Sequence, residues 1–235
     1  MAALRQRSVV PEEMDRPDLP ADRHDHALRG LARLNWWSGS ARILWRPIRR
    51  LAAEVSGRPL RLLDVACGAG DLLSALAGRA RGAGVAVQLH GCDISPTALD
   101  HARRRTAGLG VALDRRDALA EPLPAGFDVV TCSLFLHHLA DEQAIRLLGQ
   151  MAAATTRLVL VNDLRRSSAG WLLAVAACRL LTRSPVVHVD GPRSVAAAFT
   201  PAEALRLAER AGLRGAAVER RWPFRFLLTW GRARS

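Results

Sequence analysis

The stretch that most constrains this chain is Leu60-Arg61-Leu62-Leu63-Asp64-Val65-Ala66-Cys67-Gly68-Ala69-Gly70-Asp71. A short apolar run, two closely spaced glycines and a helix-forming segment to Ala80 read as buried strand, tight turn and helix. An apolar strand without polar alternation must be covered on both faces, which is the condition of a strand inside a parallel α/β sheet. The same rhythm continues downstream. Val85 to Cys92 reads as a second strand, and Ser95-Pro96 opens a helix with an N-cap followed by proline in the first turn. Val111 to Leu113 is a short third strand, Phe127 to Cys132 a fourth, Asp141 to Met151 a helix and Arg157 to Val161 a fifth strand. This alternation predicts an α/β fold with a mostly parallel, doubly wound sheet.

The flanks follow different rules. Residues 1–20 are polar, hold three prolines and lack periodicity, so a loose tail is expected. Residues 21–56 read as N-terminal helices, with Leu28, Leu31 and Leu34 on one face. The stretch Asn35-Trp36-Trp37-Ser38-Gly39-Ser40 interrupts them; a second helix starts near Ser40, and Pro47 either kinks it or begins another. After the fifth strand, 166–200 reads as an insert over the core: an apolar helix at 168–182, then an irregular loop from Arg183 to Ala198. Thr200-Pro201-Ala202-Glu203 is a helix start with threonine N-cap, proline at N1 and glutamate at N3. That helix ends near Gly212, and 214–231 supplies two closing strands as an antiparallel pair. No linker divides 21–235, whose core is 60–165.

Charge and cysteine usage narrow the function classes. The formal net charge is +12, carried by 34 basic residues of which every one is arginine. The arginines are spread along the chain, the densest run being only Arg103-Arg104-Arg105, which argues against a nucleic-acid footprint. Cys67, Cys92, Cys132 and Cys178 show no CxxC spacing and no histidine at ligand spacing, so no disulfide and no metal is expected. The N-terminus has no apolar signal core, and the longest apolar run, Ala169 to Cys178, falls far short of the ~18–20 residues of a transmembrane segment. A cytoplasmic location is expected.

The glycine turn limits what can bind. A dinucleotide loop calls for a third glycine at position 73 and an uncluttered helix N-terminus for pyrophosphate. Here position 73 is leucine, and Asp71 in the first helical turn disfavours phosphate while suiting an ammonium group. The Gly-Lys-Ser/Thr ending of a P-loop is missing as well. Asp93, at the end of strand two and about 20 residues past the turn, can accept both hydroxyls of a ribose. Ile94 beside it offers an apolar surface to an adenine face, Asp117-Ala118 offers an acceptor for its amino group, and Ser133 ends strand four at the same crevice. Read alone, the GxG is also compatible with a plain structural turn.

The set Leu-Asp-Val-Ala-Cys-Gly-Ala-Gly-Asp (63–71), Gly-Cys-Asp-Ile-Ser (91–95), Asp117-Ala118 and Phe-Asp-Val-Val-Thr-Cys-Ser-Leu-Phe-Leu-His-His-Leu (127–139) resembles the class I methyltransferases, and within them the quinone-biosynthesis and small-molecule branch. The resemblance covers roughly 60–165. It implies a Rossmann-like, seven-stranded sheet with one antiparallel strand. It also implies S-adenosyl-L-methionine as cofactor, leaving as S-adenosyl-L-homocysteine, held by Asp64, Gly68, Ala69, Gly70, Asp93, Ile94, Asp117, Ala118, Ser133 and Leu134. One departure is visible: the family usually has Pro-Gly-Gly before strand five, and this chain reads Ala154-Thr155-Thr156-Arg157. The pattern His-x-His-Ala-Leu-x-Gly-Leu-x-Arg-Leu-Asn (24–35) is similar to methyltransferases found beside polyketide-type pathways.

Methyl transfer from a sulfonium chiefly needs alignment of donor and acceptor, and a weakly acidic acceptor also needs a base. His137 is the first candidate, because the matching family position often faces the acceptor; its structural alternative is a helix cap. Asp163, after strand five, is the second, to hold an acceptor hydroxyl or orient a histidine. His188, in the expected loop with Asp190 and Arg193, is the third. Trp36, Trp37, Trp171, His138 and Arg193 are the acceptor-side candidates, with the alternative that the tryptophans of the first helices, Trp45 included, only pack them on the sheet. The expected reaction is O-methylation of a small, hydrophobic, phenolic or polyketide-like acceptor. C-methylation of a quinone precursor, RNA or protein methylation and a non-catalytic or membrane-docked module are the alternatives. The Asn/Asp-Pro-Pro-aromatic tetrapeptide typical of amino-group methylation is absent after strand four.

Overall fold

The computed structural model describes residues 4, 6–15, 19–20, 22–23, 26–27, 30, 33–34, 39–55 and 57–232. Helix α1 spans Ser40–Ala52. A strand–helix alternation follows: β1 Leu60–Val65, α2 Asp71–Gly82, β2 Val87–Asp93, α3 Pro96–Arg105, β3 Ala112–Arg115, β4 Phe127–Ser133, α4 Asp141–Ala154 and β5 Thr155–Leu164. Helices α5 Ser168–Leu181, α6 Pro185–Ala197 and α7 Pro201–Arg210 then precede β6 Ala217–Arg221 and β7 Arg225–Gly231. The seven strands form one sheet in the order β3-β2-β1-β4-β5-β7-β6. Pairings from β3 through β5 are parallel, whereas β7 runs antiparallel to both β5 and β6. The sheet is therefore the expected doubly wound one with a single reversed strand, and its order changes direction between β1 and β4.

Strand periodicity explains the two-sided core. Leu63 and Val65 face one layer while Leu60 and Leu62 face the other, because successive side chains point to opposite faces. The same split divides Val159 and Val161 from Leu160, and Phe226 and Leu228 from Leu227. On one side Leu147, Leu148 and Met151 of α4 and Leu207 of α7 complete the core; on the other, Ile43, Leu44 and Ile48 of α1 and Leu73 and Leu76 of α2 do so. Trp45 belongs to this second layer and is 9% exposed, so it fills the core rather than covering an acceptor. Pro47 lies inside α1 without ending it.

Two sequence expectations are corrected. Residues 183–198 are not an irregular loop: most of them form α6, which starts with Pro185 in its first turn and carries Pro192 inside it. The Gly191-Pro192 pair reads as a breaker, yet a Cβ at Gly191 would stand only 2.3 Å from Cys178 Sγ of α5. Close crossing of α5 and α6 thus needs glycine there, and burial of Val187 and Val195 outweighs local propensity. Arg7, Ser8, Glu12, Glu13 and Met14 of the expected loose tail are docked instead. Ser8 N donates to Ala196 O at 3.2 Å, and Glu13 N and Met14 N donate to the Asp190 carboxylate at 2.8 and 3.0 Å. Arg7 bonds Ala197 O at 2.7 Å, Leu139 O at 2.8 Å and His137 O at 3.1 Å, its guanidinium 3.5 Å over the Phe199 ring.

The junction that departs from Pro-Gly-Gly has its own solution. β5 begins at the residue after α4, and the Thr155 hydroxyl donates to Asp128 O (3.0 Å) while accepting from Leu158 N (3.1 Å). Thr156 Oγ1 donates to Phe127 O at 3.1 Å, where the β4–β5 register shifts. Two threonine hydroxyls thereby satisfy backbone groups that a turn would otherwise have to serve.

Candidate active site

The carboxyl ends of β1 and β2 on one side and β4 on the other flank the switch point, where ligands of open α/β sheets bind. β1 exits through Ala66 (φ 54°), Gly68 (φ 53°) and Gly70 (φ 76°), all in the left-handed region. Gly70 is required twice: its φ disfavours a side chain, and a Cβ would lie 3.1 Å from Ala102 Cβ of α3. At Gly68 a Cβ would meet nothing within 4 Å, so the loop there borders open space. β4 exits through Leu134, also left-handed at φ 59°, whose N–H donates to Asn162 O at 2.9 Å. Non-glycine residues in this region carry strain that accumulates at functional sites.

Asp93 clasps the glycine turn. Its Oδ2 accepts from Gly68 N at 2.8 Å and its Oδ1 from Ser95 N at 2.9 Å, so the acid is oriented before any ligand arrives. Ile94 beside it is 56% exposed. Asp117 accepts from Leu119 N at 2.8 Å, and Ala118 is buried behind it. Asp64 is buried at the end of β1 and accepts from Thr131 Oγ1 at 2.8 Å. Burial pushes its carboxyl up to about 7, with Asp93 adding to the shift and Thr131 opposing it. Asp71 pairs with Arg105 of α3, and Leu73, which replaces a third glycine, is fully buried in the core.

The geometry fits S-adenosylmethionine. A Cβ at Gly68 would meet nothing within 4 Å, and the carboxylates of Asp64, Asp93 and Asp117 stand at or just after the ends of β1, β2 and β3, a set of acceptors and space compatible with a nucleoside that carries an ammonium group. Asn162 Oδ1 is buried with no hydrogen-bond partner among the described residues, while its Nδ2 donates to Ser133 Oγ at 2.9 Å at the end of β4.

His137 and Asp163 are brought together. His137 sits in a 3₁₀ turn, Leu136–His138, just after β4, and Asp163 near the end of β5. His137 Nδ1 lies 2.6 Å from Asp163 Oδ1, and His137 N donates to Asp163 Oδ2 at 3.2 Å. Both are buried. Burial alone would depress the imidazole, but Asp163, and more weakly Glu12, hold it above its ordinary value. Burial likewise pushes the Asp163 carboxyl up, and the His137 pair more than offsets this and keeps it low. Arg225, buried and bonded to Ser40 Oγ at 3.0 Å, is pulled down to about 10 by burial against the attraction of Asp163. His138 stacks on His137 with ring centres 4.2 Å apart; burial and the His137 charge push it down to about 3.

A cavity of about 260 Å³ is lined by Val9, Val10, Pro11, Glu12, His137, His138, Arg193 and Ala197. Arg193 faces it while paired to Glu13 (3.3 Å) and Asp190 (3.8 Å). His188 is placed elsewhere: it is on α6, not in a loop, and its Nε2 bonds Thr182 O at 2.9 Å. Trp171 lies on α5 and is 37% exposed; Trp36 and Trp37 lie outside the described residues. Glu12 is the contributor that sequence reasoning missed. It lies 125 positions before His137, and no spacing rule links the two. Its Oε1 stands 3.8 Å from His137 Nε2 and accepts from Ser194 Oγ. Among the described residues, Glu12, His137 and His138 form a group able to hold a metal ion, their ligand atoms within 4.8 Å of one another. The expectation of no metal rested on linear spacing and did not foresee this group.

A seven-stranded sheet of this order, with a glycine turn and an acid at the ends of β1 and β2, is a Rossmann-like doubly wound fold with its crevice at the strand ends. A methyltransferase domain family matches residues 62–157. The ubiquinone biosynthesis O-methyltransferase of Thiobacillus denitrificans is 32% identical over 182 residues, covering 73% of this chain and 70% of that one. A demethylmenaquinone methyltransferase of Thermus thermophilus is 39% identical over 129 residues, 53% of this chain and 56% of that one. Among solved structures, the S-adenosylmethionine-dependent methyltransferase SibL aligns over 98% of this chain and 65% of its own, with TM-score 0.63 and 21% identity. The magnesium protoporphyrin IX methyltransferase of Synechocystis, with bound S-adenosylhomocysteine, aligns over 94% and 91%, with TM-score 0.56 and 16% identity. The chain belongs to the class I S-adenosylmethionine-dependent methyltransferases, in the branch that resembles enzymes of quinone biosynthesis, and it is an enzyme.

Proposed function

We propose that the protein methylates the hydroxyl oxygen of a small, hydrophobic, phenolic or polyketide-like acceptor, with His137 as the base and Asp163 as its positioning residue. The observation that carries this is the 2.6 Å contact between His137 Nδ1 and Asp163 Oδ1 beside the exit of β4. Asp64, Gly68, Ala69, Gly70, Asp93, Ile94, Asp117, Ala118, Ser133 and Leu134 hold the cofactor in this reading. When bound, S-adenosylmethionine supplies a methyl group already activated by its sulfonium. The remaining work falls to this chain's own residues. Asp163 accepts the Nδ1 proton, which fixes the tautomer and leaves Nε2 to take the proton of the acceptor hydroxyl. An imidazole held above its ordinary value lies closer to a phenol and shares the proton better. Val9, Val10 and the Arg193 stem give the cavity an apolar wall, and the segment carrying Glu12 excludes water. His138, neutral beside His137, is an acceptor contact.

C-methylation of a quinone precursor is the second reading, favoured by the similarity to a demethylmenaquinone methyltransferase; the same dyad then removes a proton from the ring hydroxyl or carbon. Four buried free thiols support a reducing, cytoplasmic setting. No helix of the described residues is long and apolar enough to cross a membrane. The test is incubation with labelled donor and a panel of phenols, alkylresorcinols and quinols. Transfer to a phenolic oxygen is expected in wild type, with His137→Ala losing turnover by a factor of about 10²–10⁴ at unchanged donor affinity. Asp163→Asn is expected to lower kcat and shift its pH profile with little change in KM. Transfer to RNA and to none of the panel contradicts the reading.

A further inference from the structure

The cavity beside the His137–Asp163 pair holds donors that proton transfer alone does not require. Glu12 arrives from the N-terminal segment and His138 from the residue next to His137, and the ligand atoms of all three lie within 4.8 Å. The geometry points to a binding site for one divalent transition-metal ion, formed by Glu12, His137 Nε2 and His138.

Three independent features support it. First, a carboxylate accepts but never donates, so the 2.6 Å contact to Asp163 Oδ1 puts the proton on His137 Nδ1 and leaves the Nε2 lone pair outward. A histidine whose other nitrogen is held by a carboxylate is the usual arrangement behind a metal ligand. Second, the 3.8 Å between Nε2 and Glu12 Oε1 is too long for a direct hydrogen bond. It approaches the ~3.4 Å that separates two ligands of one tetrahedral ion with bonds of about 2.1 Å. Third, the three groups line a cavity of about 260 Å³, so an ion there keeps open positions for water or another oxygen. Two imidazoles and one carboxylate suit zinc, cobalt or nickel, and disfavour magnesium and calcium, which want oxygen ligands. The ion would occupy the Nε2 lone pair that takes the acceptor proton in the proposed reaction, so the two uses of His137 exclude each other and bound metal is expected to inhibit methyl transfer.

The segment bearing Glu12 is anchored for this purpose on both sides. Arg7 holds it to the carbonyls of His137 and Leu139. Asp190 of α6 holds Glu13 N and Met14 N, and Ser194 of the same helix donates to Glu12. The carboxylate is therefore carried to the histidines by tertiary contacts.

The experiment uses untagged full-length protein, stripped with chelator and dialysed, then titrated with Co²⁺ by visible absorption and with Zn²⁺ by calorimetry. One equivalent is expected, with tetrahedral or five-coordinate cobalt bands. Glu12→Gln and His138→Ala should each weaken binding at least tenfold, and Asp163→Asn by roughly 10–100-fold. His101→Ala, at a half-buried histidine of α3 remote from the cavity lining, should change nothing. Binding of S-adenosylhomocysteine by each variant shows that it is folded. No saturable binding in wild type, or affinity unchanged in both Glu12→Gln and His138→Ala, overturns the site. Failure of wild type to bind S-adenosylhomocysteine would instead count against the proposed function and leave the ion result standing.

Discussion

If Asp64 holds the cofactor's ammonium group as proposed, its burial makes the carboxylate a sensor of that ligand. At the end of β1 it is 2% exposed and its carboxyl is pushed up to about 7, chiefly by burial. An ammonium group beside it favours the ionised form, so binding must release the proton below that pH. Donor affinity should therefore rise as pH goes from about 5.5 to 8, by up to tenfold per unit below 7. Calorimetry in buffers of different ionisation enthalpy measures the released proton directly, and Asp64→Asn should abolish it. Stability of the ligand-free enzyme should move the other way. The folded value lies above the ordinary 3.8, so this carboxyl's contribution is full below about 4 and is lost as pH rises through 7. Urea midpoints across that range check the sign, and a rising midpoint attributable to Asp64 would contradict it.

At the scale of elements, the parts that read well from sequence are those whose signals are local. The strand–turn–helix units have their own apolar runs and caps, and Thr200 and Glu203 form the expected reciprocal capping box. Position 93 follows from strand length alone. The parts that did not read are made by distant contacts. Helix α6 contains Gly191 and Pro192, and the crossing with α5, a distant contact, is what requires the glycine. The polar, proline-bearing N-terminal segment has no pattern of its own, and its position comes from Arg7, Glu12 and Glu13 meeting groups more than 120 residues away. Arg7→Ala should free Leu139 O and Ala197 O and release the segment. Its expected cost is about 1–3 kcal/mol in urea unfolding, with faster proteolysis N-terminal to residue 15; an unchanged cleavage rate would contradict the docking. Thr155→Val keeps shape but removes the hydroxyl at the α4–β5 junction, and is expected to cost about 1–3 kcal/mol for the buried groups left unpaired.

For the whole molecule, the order of the strands does the decisive work. Because the strand order reverses direction between β1 and β4, the exits of β1, β2 and β4 open on one crevice, and residues 25 to 67 positions apart become neighbours. The helices α5 and α6 and the N-terminal segment lie on its β4–β5 side, so the buried His137–Asp163 pair and the glycine turn with Asp93 are built by separate parts of the chain. The charge of +12 is distributed rather than concentrated, which leaves the crevice as the feature that defines function. The most direct test is calorimetric titration of S-adenosylhomocysteine into folded protein. One equivalent is expected in wild type and in His137→Ala, with affinity reduced more than about tenfold in Asp93→Ala, which loses a charged acceptor. Absence of heat in wild type, or equal affinity in Asp93→Ala, would contradict the account.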